Sequence, residues 1–170
     1  MKKFNKKALL VIMALCVSMF VFTGCNDTPE PVADDTPSAA EEAQKIHDYE
    51  DIAPTFETTD DYFKALEILD NAGKYVKTDF ENRMAEENAD AAAVAETVKK
   101  PFTQFKAITP PAEYAAANQY YMTAADQFIA YIDALAAGQD GAAKLDEAKK
   151  SMSAGNTAAT DALVQSSQAQ

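Results

Sequence analysis

Few side chains in this chain are equipped for chemistry. Its 170 residues include two cysteines, Cys16 and Cys25, and a single histidine, His47. Cys25 follows Phe22-Thr23-Gly24 at the end of an apolar run, and Cys16 lies inside that run. The His47 imidazole can ligate a metal or move a proton near neutral pH. It stands among Asp48, Glu50 and Asp51, however, and a solvated histidine beside carboxylates needs no function. A ferritin-like di-iron centre takes Glu-x-x-His from each of two helices, which one histidine cannot supply. The Cys-x-x-Cys-His run that attaches c-type haem is absent. His47 with Met84, Met122 or Met152 offers axial ligands for a b-type haem, but no spacing singles out one of the methionines.

Carboxylates are paired at Asp34-Asp35, Glu41-Glu42, Asp60-Asp61 and Glu86-Glu87. None has the alternating oxygen ligands, central glycine and closing glutamate of a calcium loop. The second and third pairs fall at expected helix starts, where anions meet the positive end of the helix dipole; the other two read as solvated. There is no Gly-x-Ser-x-Gly nucleophile turn and no glycine-rich phosphate loop. Tyrosines gather after Pro111. Tyr114 and Tyr121 share a helical stripe and read as core with hydroxyls at the rim, whereas Tyr120 and Tyr131 lie off it, where a ligand or partner could meet them but ordinary packing is the favoured reading. This inventory predicts a non-catalytic protein with no metal site and no cofactor. A metal- or haem-binding helical bundle is the alternative.

Cys25 differs from the rest in its setting. Lys2, Lys3, Lys6 and Lys7, with no acidic residue among them, precede an apolar stretch from Ala8 to Phe22. About 15 residues is the length of a signal-peptide core, and short of the roughly 20 that carry a helix across a bilayer. Gly24 puts a minimal side chain just before Cys25. The run Phe22-Thr23-Gly24-Cys25 behind a basic and then an apolar segment resembles the lipobox of bacterial lipoproteins, with Phe22 where that pattern usually has an aliphatic residue. The resemblance implies cleavage between Gly24 and Cys25 and a lipid of the palmitate class on Cys25. It implies a protein of the cell envelope, lipid-anchored to a bacterial membrane. Asn26 is not the aspartate that retains some lipoproteins at the inner membrane, so the outer membrane, facing the periplasm, is implied where two membranes are present.

Loss of residues 1–24 as a signal peptide would remove Cys16, leaving no intramolecular disulfide and a core that must supply its own stability. All 27 acidic residues follow the leader, but four of the 15 basic ones are its lysines, so cleavage moves the formal charge from −12 to −16. So negative a surface repels nucleic acid and anionic headgroups. Neither is an expected partner; an envelope protein or a small ligand is. Residues 25–37 follow as the lipidated cysteine and a tether, whose Asp27, Pro29, Glu30, Pro31, Asp34, Asp35 and Pro37 favour an extended, solvated chain.

The elements after the tether are helical. Ser38-Ala39-Ala40-Glu41 has the form of a capping box, opening a short helix that Pro54 stops after about Asp51. Thr59-Asp60-Asp61 opens a long one with Tyr62, Leu66, Leu69, Gly73, Val76, Phe80 and Met84 on one stripe. Gly73 on that stripe predicts a close approach by another helix. From Ala91 to about Ile108, Val94, Val98, Phe102, Phe105 and Ile108 form the next stripe. Pro101 there predicts a kink near Val98 or a restart at Lys100.

Pro111 is placed to open the next helix, whose stripe is Tyr114, Ala117, Tyr121, Ala124, Phe128, Ile132 and Leu135, with Gly138 to end it. Asp140 caps the last helix, where Ala142, Leu145, Ala148, Met152, Gly155, Ala159 and Leu163 form a stripe of mostly small residues. These bury little area, predicting the weakest large helix. Gly155-Asn156 predicts a kink or an end near Ala154. Short connections predict antiparallel neighbours. The fold class expected is all-α: an up-and-down four-helix bundle with a short extra N-terminal helix, after the signal helix and extended tether. The bundle domain occupies 38–166 and a frayed tail 167–170.

Overall fold

The computed structural model describes Ile52 and residues 59–168. Among them the chain is all-α, with helices α1 (Thr59–Met84), α2 (Ala91–Lys106), α3 (Ala115–Ala136) and α4 (Ala142–Gln168), and a 3-10 turn at Ala112–Tyr114 before α3. The leader 1–24, the tether 25–37 and the expected helix ending near Asp51 lie outside the described residues. Ile52 is buried and belongs to the same apolar cluster as the helices.

The direction of each helix follows from which residues meet. Tyr62 reaches Asn118 and Gly73 meets Phe128, so numbers rise together and α1 runs parallel to α3. Lys99 pairs with Asp133 and Lys106 with Asp126, so α2 runs against α3. Tyr131 lies on Gly141 and Tyr121 on Gly155, so α4 also runs against α3. This is the up-and-down four-helix bundle, and α3 is its centre: its backbone closely approaches each of the other three helices, α4 most extensively. Small residues permit that approach. Ala117, Ala124 and Ala125 on α3 and Ala148, Gly155 and Ala159 on α4 are all buried, trading buried area for proximity.

Local chemistry explains the ends. Asp60 and Asp61 occupy the first turn of α1. The Asp90 carboxylate accepts from the Ala93 N–H at 2.8 Å and caps α2. Gly138, at φ +67°, follows α3. Its N–H donates to the Leu135 carbonyl at 3.0 Å and the Gln139 N–H to that of Ala134 at 2.8 Å, the paired bonds of a Schellman cap. The Asp140 carboxylate accepts from the Ala142 N–H at the start of α4.

Several expectations give way. α2 runs unbroken through Pro101, so it does not restart at Lys100. Proline removes one helical N–H, the one that would bond the Thr97 carbonyl, but its ring is fully buried and packing holds the helix in one piece. Pro111 does not begin an α-helix; it precedes the 3-10 turn, and α3 starts at Ala115. α4 does not stop near Ala154 but continues through Gln168, into the stretch assigned to the tail. There the Ser166 and Ser167 hydroxyls donate back to the Leu163 and Val164 carbonyls.

Candidate functional site

The residues singled out for lipidation and cleavage, Cys25 and Gly24, lie outside the described residues, as does His47. The methionines weighed beside His47 are spread over three helices: Met84 half-buried on α1, Met122 half-buried on α3, Met152 buried on α4. Among the described residues no group of three or more histidine, cysteine, aspartate or glutamate side chains is placed to hold a metal ion. Of the paired carboxylates, Asp60-Asp61 open α1 and Glu86-Glu87 are exposed after it.

The tyrosines divide differently from their sequence positions. Tyr120 is 47% exposed, one of two large exposed apolar side chains among the described residues, with Val164 on α4. Tyr131, its companion off the stripe, is buried. Its ring fills the space where a side chain on Gly141 would stand, with Cδ2 2.5 Å from the position of a Cβ there. Tyr121 is core as expected, but its hydroxyl does not reach the rim. It donates to Asn156 Oδ1 at 2.7 Å inside the bundle, while its ring lies on Gly155.

A second tie of the same kind joins α1 to α3. The Tyr62 hydroxyl donates to Asn118 Oδ1 at 3.0 Å, both residues buried. Tyr62 stacks on Tyr114 with centroids 5.8 Å apart, and Tyr114 stands edge-on to Phe63 at 5.2 Å. Burial, and then the neighbouring Tyr114, push the Tyr62 phenol well above its usual value. Burial, and then Glu113, push Tyr114 up to about 12. These phenols are neutral at physiological pH, as an unshifted tyrosine also is, and that of Tyr62 is the hydrogen-bond donor to Asn118.

Sequence marks Asn156 only as part of a weak point in its helix and does not single out Asn118, yet a signal for both is there. Asn118 stands four residues after Tyr114 and three before Tyr121, and Asn156 four after Met152 and three before Ala159. A polar amide at core spacing calls for a buried partner. Asn156 is incompletely served, because its Nδ2 has no hydrogen-bond partner.

At the surface of the α2–α3 seam, Lys99 bridges Glu96 at 2.7 Å and Asp133 at 2.9 Å, and Lys106 pairs with Asp126. Exposed pairs of this sort contribute roughly 0–1 kcal/mol each, so they help orient α2 more than they hold it.

Fold and interior together define an all-α four-helix bundle tied internally by two tyrosine–asparagine bonds. No protein-family model, no curated protein and no solved structure matches the chain.

Proposed function

We propose that this protein is a membrane-anchored extracytoplasmic lipoprotein whose helical domain acts without catalysis, as a binding or structural part of the cell envelope. The observation that carries the reading is Gly24-Cys25 placed behind four lysines and the apolar run Ala8–Phe22. No helix among the described residues is long and apolar enough to cross a membrane, and the anchor this reading relies on is Cys25. Acyl chains contribute about 0.8 kcal/mol per buried CH₂, and durable attachment takes more than one chain or signal. Multiple acylation at Cys25 would hold a strongly acidic domain that anionic headgroups repel.

Growth with labelled fatty acid tests this. Wild-type protein takes up label and sediments with membranes, whereas Cys25→Ala does neither; equal labelling of the two would end the reading. Crosslinking and pull-down from intact cells, wild type against Cys25→Ala, then reports which envelope component meets the anchored domain.

A further inference from the structure

We draw no further inference here: the strongest candidate, the buried Asn156 side chain in the α3–α4 seam with its Nδ2 unpartnered, belongs to the Tyr121–Gly155 packing contact already described, and nothing in the structure shows what that amide would hold.

Discussion

The ring of Tyr121 lies so close over Gly155 that a Cβ on Gly155 would stand 2.6 Å from the ring Cε1, while the Tyr121 hydroxyl bonds the next residue, Asn156, at 2.7 Å. A glycine and an asparagine that weaken an isolated helix are here a socket and an acceptor for one side chain of α3. Gly155→Ala is therefore expected to destabilise the domain. The methyl gains about 1 kcal/mol in helix propensity, but forcing the ring out of a packed core costs about 1–3 kcal/mol. Urea unfolding should show a lower midpoint with the slope unchanged; a raised midpoint would mean the ring moves aside freely.

Gly73 tests the same relationship on the other side of α3. A Cβ there would stand 2.5 Å from Phe128 Cζ, and Phe128 is also held against Phe102, centroids 4.9 Å apart. Gly73→Ala should lower the unfolding midpoint, and adding Phe128→Leu should recover part of the loss. Residues in contact couple in this way, typically by about 0.5–3 kcal/mol. Strict additivity of the two substitutions would contradict the contact.

Tyr121→Phe removes only a hydroxyl but leaves the Asn156 side chain buried without its described partner. An orphaned buried polar group costs about 1–3 kcal/mol, so the loss should fall in that range. Tyr62→Phe should behave alike through Asn118. Tyr120→Phe, at an exposed position, should stay within about 0.5 kcal/mol of wild type, provided thermal or urea unfolding is followed under one set of conditions.

Alkaline pH should unfold the domain through its buried phenols. The folded-state values of Tyr62 and Tyr114 lie above that of a free tyrosine, about 10, so between the two the folded state binds more protons than the unfolded. Their contribution is fully present below pH 10 or so and is lost as pH rises through the folded value, about 12 for Tyr114. Near-ultraviolet phenolate absorbance and helical circular dichroism should change together there. Phenolate formation at these two sites with helicity intact would show that they titrate inside the folded bundle.

What sequence showed and what it hid divide by range. Gly138 and Asp140 were legible because helix ends obey local rules: a positive φ and a carboxylate beside free N–H groups. Gly73 was legible because a glycine on an apolar stripe has a packing reason. The restart at Lys100 and the end near Ala154 do not occur, because local cost says nothing about a ring buried in the core or a tyrosine arriving from another helix. Tyr131 lies off the stripe of its own helix, and only the fold shows what it packs on, Gly141 of the next segment. For the anchor the sequence remains the whole basis: Gly24 and Cys25 lie outside the described residues, and their reading depends on covalent processing, which folding physics does not record.

The most direct measurement is the intact mass of the protein extracted from the membrane fraction. The account predicts a polypeptide beginning at Cys25, heavier than its sequence by the mass of acyl groups, and loss of that species in Cys25→Ala. A chain still beginning at Met1, or one beginning at Cys25 with no added mass, would contradict it.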